Sequence, residues 1–369
     1  MEIDMKIPYI DLSRWHQELK PELMEAFSRT IDHGGFCLGQ EVEAFEKTFA
    51  REMGAERCVG VGSGTEALHL TALALDVGPG DEVIIPSFTF IASAWFAQYV
   101  GAKIVFADID PVSFTIDPKS IEALITPNTK AIVAVHLYGQ PADLDPIMAI
   151  AAKHGVKVVE DAAQACFAQY KDKPVGLVGD AGTFSFYPSK ALGALGEGGC
   201  VVSKHNNVLD RVSVLRVHGS KERYYSHFVG YNNRMEGLQA ASLNVKLPKI
   251  REKIARRQEI AHRYLEGIVN EDAELFHPVE WGKSIYSVFT IMHPERDRLR
   301  TCLTEKGVGT DIVYPVPLHR QPCFAHLGYA HGDLPFSDAA ADNSLSLPVF
   351  PELADDEVDY IIQAINDFS

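Results

Sequence analysis

Two kinds of hydrophobic pattern alternate between about residue 20 and residue 245. Short apolar runs read "DEVIIPSF", "AKIVFADID", "TKAIVAVHLYG", "VKVVEDAA", "AGTFSFYP" and "GGCVVS". Each is bounded by turn residues, and their near-continuous apolar character suits strands covered on both faces. Longer stretches between them repeat apolar residues with the helical period. Such alternation predicts an α/β domain on a mainly parallel sheet with helices over it. Around "VKLPKIREKIARRQEIAHRYLEGIV" the pattern becomes a long charged helix. A strand in "SIYSVFTIMH", a helix in "ERDRLRTCLTEKG" and a closing helix in "DDEVDYIIQAINDF" follow. We expect a large α/β domain over residues 1–247, N-terminal segment included, and a smaller α+β domain over 248–369. The length of 369 residues agrees, because single cores stop growing near roughly 250–300 residues. The sequence shows no internal repeat and no low-complexity tract.

Charge narrows the partners. With 34 basic and 50 acidic residues the formal net charge is −16, spread along the chain. That balance disfavours nucleic acid and anionic membrane surfaces. The opening "MEIDMKIPYIDLSRWHQELK" carries a polar or charged residue every two or three positions, so it reads neither as a signal peptide nor as a spanning helix. A cytoplasmic protein is the expectation. The six cysteines are far apart and show no zinc-site spacing, so we expect no metal and reduced, mostly buried thiols.

Three short segments carry candidate chemistry. In "VGVGSGTEALHLTALAL" a glycine loop turns into a helix at Thr65, which places free N–H groups and a hydroxyl where an anion could sit. It departs from G-x-G-x-x-G, from the P-loop and from G-x-S-x-G. "VKVVEDAAQACFA" is an apolar strand ending in Glu160-Asp161, with Gln164 shortly after, at the end of a strand where α/β sheets collect ligands. "TFSFYPSKALGALGEGG" puts Lys190 just past another strand, beside glycines that allow a flat group to approach. A lysine desolvated there can act as an amine nucleophile. Each segment has a plain structural alternative: a capped helix, an acid capping the next helix, a surface lysine. Together they suit one ligand, because pyridoxal phosphate needs an anion cradle, a carboxylate for its ring nitrogen and a lysine for its aldehyde.

With those residues in view, the chain resembles the DegT/StrS family of nucleotide-sugar aminotransferases, fold-type-I enzymes that use pyridoxal phosphate. The resemblance runs from "IPYIDL" to "LSLPVFPEL" through "LGQEVEAFE", "GSGTEAL", "GPGDEVIIPSFTFIASA", "YGQPAD", "EDAAQ", "SFYPSKALGALGEGG", "GYNNRMEGLQAA" and "YPVPLHRQPCF". It implies that Lys190 forms the Schiff base with the cofactor and that Asp161 pairs with the pyridine nitrogen. It also implies that Gln164 lies near the ring oxygen, that Gly64, Thr65 and Ser185 hold the phosphate, and that Phe90 stacks on the ring. Asn232 and Arg234 resemble the pair sent across a dimer interface, Asn232 to the neighbour's cofactor phosphate and Arg234 toward its substrate. Tyr314 and His319 resemble substrate-pocket residues.

Two departures bear on the substrate. Val313 stands where many relatives have the His of His-Tyr-Pro, and "QAASLNVKLPKI" is the variant we associate with amination at C3 of the sugar. The retained Lys190 argues against the family's dehydratase branch. The resemblance therefore implies amino transfer, usually from L-glutamate, to a nucleotide-linked keto-sugar within a homodimer of shared sites. We expect a 3-keto sugar. A 4-keto sugar, another pyridoxal-phosphate reaction and a non-catalytic regulatory paralogue are the alternatives.

Overall fold

The structure, a computed structural model, describes residues 5–369. Seven strands form its main sheet: β1 (Cys58–Val61), β2 (Glu82–Pro86), β3 (Lys103–Ala107), β4 (Thr129–Val135), β5 (Lys157–Asp161), β6 (Ala181–Ser185) and β7 (Gly199–Val202). Across the sheet they lie in the order β1-β7-β6-β5-β4-β2-β3. Strands β2 to β6 pair in parallel, and β7 runs against both of its neighbours. All six apolar runs of the sequence fold as strands. The seventh, β1, is the segment "CVGV", too short and glycine-broken to stand out from the glycine cluster that follows it.

Strand direction creates the site. Every strand but β7 points the same way, so β1, β2, β4, β5 and β6 all release their loops at one edge, where open α/β sheets bind ligands. Asp161, the last residue of β5, lies level with Val135 at the end of β4 and with Thr183 in β6. Both faces are covered. On one, helix Gln40–Met53 turns Val42, Phe45 and Phe49 inward, and Phe49 meets Phe184 at a ring distance of 5.4 Å. On the other, Ile85, Phe88, Phe96 and Phe106 belong to a second buried cluster.

A third core lies toward the C-terminus. Strands β8 (Glu274–Leu275), β9 (Phe289–Met292) and β10 (Ser344–Leu347) pair antiparallel. Helices Ile250–Gly267, Arg296–Glu305 and Asp355–Asn366 contribute Ile260, Tyr264, Leu299, Val358 and Ile361 to this core. The chain does not divide cleanly at residue 248. Ile7 bridges to Val308 and is buried in the C-terminal core. In the other direction, Phe276 packs 5.2 Å from Phe114, in the second buried cluster, and Phe324 packs 5.4 Å from Phe106 of β3. Periodicity reports local structure and is silent about where a loop returns.

All six cysteines are free, but only Cys58, Cys166 and Cys200 are buried; Cys37 and Cys323 are exposed. The expectation of mostly buried thiols therefore needs correcting, because Cys37 and Cys323 sit in connecting segments outside the apolar runs. Among the described residues no helix is long and apolar enough to cross a membrane.

Candidate active site

A cleft of about 650 Å³ opens at the carboxyl edge of the sheet. Its floor begins where β1 gives way to helix Gly64–Ala74. Ser63 is the N-cap, its Oγ accepting from the Glu66 N–H at 3.1 Å, so the helix starts one residue before Thr65. Close approach explains the glycines. A Cβ atom on Gly64 would lie 2.6 Å from Ser185 Cβ, and one on Gly199 would lie 2.4 Å from the Ser63 carbonyl carbon. Without those side chains, the helix start sits directly against the ends of β6 and β7. The first-turn N–H groups, Thr65 and Ser185 then line one corner of the cleft as an anion cradle.

The next strand end supplies the acid. Asp161 is 5% exposed; its Oδ2 accepts from Ser93 Oγ at 2.7 Å and its Oδ1 from the Ala163 N–H at 3.1 Å. Burial pushes this carboxyl above the usual range, while Ser93, Ala163 and the Lys190 charge pull it back. Its neighbour Glu160 points to the opposite face, as alternate strand residues do. There Glu160 accepts from the N–H groups of Gly176, Val178 and Gly179 at 2.6–2.8 Å and contacts His136 Nε2 at 3.0 Å. Burial raises Glu160 too, but His136 and those amides outweigh it and hold the carboxyl below its ordinary range. Glu160 is a structural anchor, and Asp161 faces the cleft.

Lys190 follows β6 in a tight turn, its N–H donating to the Tyr187 carbonyl at 2.8 Å. Burial drives its ammonium below the lysine range, opposed by Asp161. Gln164 spans the cleft wall, accepting from the Tyr138 N–H at 2.7 Å and donating to Tyr314 Oη at 2.9 Å. Tyr314 in turn packs 5.8 Å from the half-exposed ring of Phe90. Burial, with Asp161 nearby, raises the Tyr314 hydroxyl. Gly64, Thr65, Phe90, Asp161, Gln164, Ser185, Lys190 and Tyr314 thus line one cleft.

Three expected residues lie outside it. His319 is 1% exposed and does not border the cleft; it shares a 2.6 Å hydrogen bond with Ser87 Oγ and lies 3.4 Å from Asp338. Its expected place in the substrate pocket is corrected: it ties the loop bearing Tyr314 to the loop bearing Phe90. Asn232 is exposed and Arg234 half-buried, bonded to each other, with Arg234 bridged to Val61 just before the cradle. Sequence reading also missed two residues. Ser93 orients Asp161 but looks like any helix serine. Arg257, 6% exposed and lining the cleft, hides in the charged run "ARRQE". Its spacing from Ile250, Ile254, Ala261 and Tyr264, all buried on one stripe, was the available signal.

Comparison with known proteins settles the family. The DegT/DnrJ/EryC1/StrS aminotransferase family matches residues 17–366. The chain belongs to that family. The "Pleiotropic regulatory protein" of Geobacillus stearothermophilus is 44% identical over 99% of both chains. A "UDP-N-acetyl-3-dehydro-alpha-D-glucosamine 3-aminotranferase" of Acidithiobacillus ferrooxidans is 42% identical over 97% of both. Among solved structures, Streptomyces venezuelae DesV with a ketimine intermediate superposes with a TM-score of 0.96 at 38% identity, covering 98% of both chains. The PLP form of Spr1654 from Streptococcus pneumoniae, a "putative sugar aminotransferase", gives 0.88 at 27% identity over 99% of this chain and 98% of its own. The family's cofactor fits the cleft described above. The glycine-lined cradle suits a phosphate, the buried Asp161 suits a ring nitrogen, and Lys190 is an amine held toward its neutral form.

Proposed function

We propose that this chain transfers an amino group from L-glutamate to C3 of a nucleotide-linked keto-sugar, using pyridoxal phosphate, as a cytoplasmic homodimer. The observation that carries the reading is the meeting of Lys190, Asp161 and the Gly64–Thr65–Ser185 cradle in one cleft. The names of relatives that aminate at C3, Acidithiobacillus ferrooxidans among them, supply the position on the sugar. When bound, the cofactor supplies an electron sink and carries the amino group between substrates. Gly64, Thr65 and Ser185 would hold its phosphate, Phe90 would cover its ring, and Gln164 would lie near its ring oxygen. Asp161, oriented by Ser93 and the Ala163 N–H, would place a negative charge beside the ring nitrogen and hold a proton there. Lys190 Nζ would be the attachment point, and as general base it would take a proton from the substrate carbon and return one. Burial favours the neutral amine that this requires.

The position of Asn232 and Arg234 outside their own chain's cleft supports a two-fold dimer in which they serve the partner's site. The test is a panel assay. Enzyme converted to its amine form with L-glutamate is offered nucleotide-linked 3-keto and 4-keto sugars, and the aminated product is identified by mass and NMR. Efficient turnover of 3-keto sugars is expected; turnover of 4-keto sugars alone would move the reaction to C4. A second reading, a regulatory ligand-binding protein, has one observation in its favour, the name of the Geobacillus stearothermophilus relative. Spectral conversion by L-glutamate would exclude a purely non-catalytic role.

A further inference from the structure

Arg257 borders the cleft from the C-terminal side with its charge uncompensated. It lies on the inward stripe of helix Ile250–Gly267. Nη1 donates to the carbonyl oxygens of Val349 at 3.0 Å and Ser287 at 3.5 Å. Among the described residues, Nε and Nη2 have no acceptor, and no carboxylate comes within 4.0 Å of the guanidinium. The nearby Glu352 is taken by Lys253 at 3.0 Å. Burial pulls Arg257 down to about 10, against the attraction of Glu352 and Tyr9. A buried cation without a partner is costly, and two neutral carbonyls satisfy only one of its three nitrogens. A residue needed only to pin the chain at Val349 would not require that charge.

The other charges around the cleft narrow the ligand. Within one chain, Lys190 is its only other lining cation among the described residues, while Asp161, Glu197 and Asp311 bring carboxyl groups. A carboxylate entering the cleft is repelled by those three, and Lys190 is committed to chemistry. We propose that Arg257 holds a carboxylate of the amino-acid donor, with Nε and Nη2 as the planar fork that carboxylates accept in pairs. This assignment rests on the aminotransferase reading and deepens it: Arg257 selects the donor class, and Lys190 and Asp161 act on whatever is bound.

The test uses holoenzyme and glutarate, a dicarboxylate that cannot react. Calorimetry should show glutarate binding about 10- to 100-fold more weakly to Arg257→Gln, the effect of losing a charged hydrogen-bond pair. The L-glutamate concentration giving half-maximal spectral conversion should rise in parallel, with the rate at saturation little changed and cofactor affinity retained. Arg257→Lys should recover part of the affinity, since it restores the charge without the fork. In wild type, glutarate should protect Arg257 from phenylglyoxal, read by peptide mass, a result independent of how any variant folds. Unchanged glutarate affinity in a folded Arg257→Gln, or glutarate bound without protecting Arg257, would overturn the assignment. If wild type binds glutarate but is never converted by L-glutamate, the aminotransferase reading fails and the binding result still stands on its own.

Discussion

The cleft has two walls built in different ways. Gly64, Asp161, Ser185 and Lys190 sit at strand ends, at a helix start or one turn beyond, so the main sheet fixes where they are. Arg257, Ser287, Tyr314 and Val349 come from a helix face and from loops of the C-terminal part, joined to the sheet by bonds such as Gln164–Tyr314 and Ser87–His319. In the function proposed above, the first wall would carry the chemistry and the second the recognition. Loops can change composition without disturbing a parallel sheet, so one reaction can be offered to different donors and sugars. The adjacent residues Glu160 and Asp161 repeat the contrast on a smaller scale. One carboxylate is saturated with amide donors and held low; the other is half-satisfied and raised.

Removing Lys190 should separate the walls most sharply. Lys190→Ala removes nucleophile and base together, so transamination should fall by several orders of magnitude while pyridoxal phosphate still binds without a covalent link. Spectral titration with stopped-flow half-reactions would show both. Near-normal turnover would place the chemistry elsewhere.

The paired acids come next. Asp161→Asn keeps the shape and removes the charge, so the rate should drop by more than the cofactor affinity does. Glu160→Gln should do the opposite, lowering unfolding stability by roughly 3–5 kcal/mol because a buried, fully bonded charge is broken. Its activity per folded molecule should be kept. Denaturant melts beside steady-state kinetics distinguish the two, and interchanged results would reverse the roles assigned to the two faces of β5.

A third experiment asks whether the sheet wall is complete in one chain. Lys190→Ala and the double variant Asn232→Ala/Arg234→Ala should each be inactive, yet regain activity when their subunits are exchanged. One site of the mixed dimer then carries both defects and the other carries none, so recovery toward half of wild type per heterodimer is expected. No recovery after verified exchange would confine Asn232 and Arg234 to their own chain.

The smallest effect concerns Lys246, a second buried lysine beneath the Lys190 loop. Its Nζ donates to the Gly193 carbonyl at 2.6 Å and meets His16 Nε2 at 2.8 Å, and burial lowers it from 10.5 to about 8. The unfolded chain keeps this proton between those values and the folded chain does not, so stability from this group rises with pH across the window. It is lost as pH falls through the folded value. Lys246→Met should remove that slope, a difference of about 3 kcal/mol between its ends. Unfolding free energies of both proteins from pH 7.5 to 10.5 test it; parallel curves would mean that Lys246 titrates normally.

What could be read from the sequence follows the same division. Strand ends announce themselves, because an apolar run followed by an acid or a lysine is a local pattern, and Asp161 and Lys190 were found that way; the cradle showed as a glycine loop turning into a helix. The second wall depends on contacts across a long stretch of chain. Arg257 looks like a solvated charge until its place on the buried stripe is counted. His319 sits in a motif that resembles a substrate contact, yet turns inward, where its Nδ1 shares a hydrogen bond with the buried Ser87. The strand β1 and the return of Phe324 to the main sheet left no periodic trace.

The account rests on Lys190 being the reactive amine, and the nearby buried Lys246 makes the question a real choice between two lysines. Holoenzyme reduced with borohydride, digested and mapped by mass spectrometry answers it directly. The account predicts a pyridoxyl group on Lys190 alone. Label on Lys246, or on any lysine other than Lys190, would contradict it.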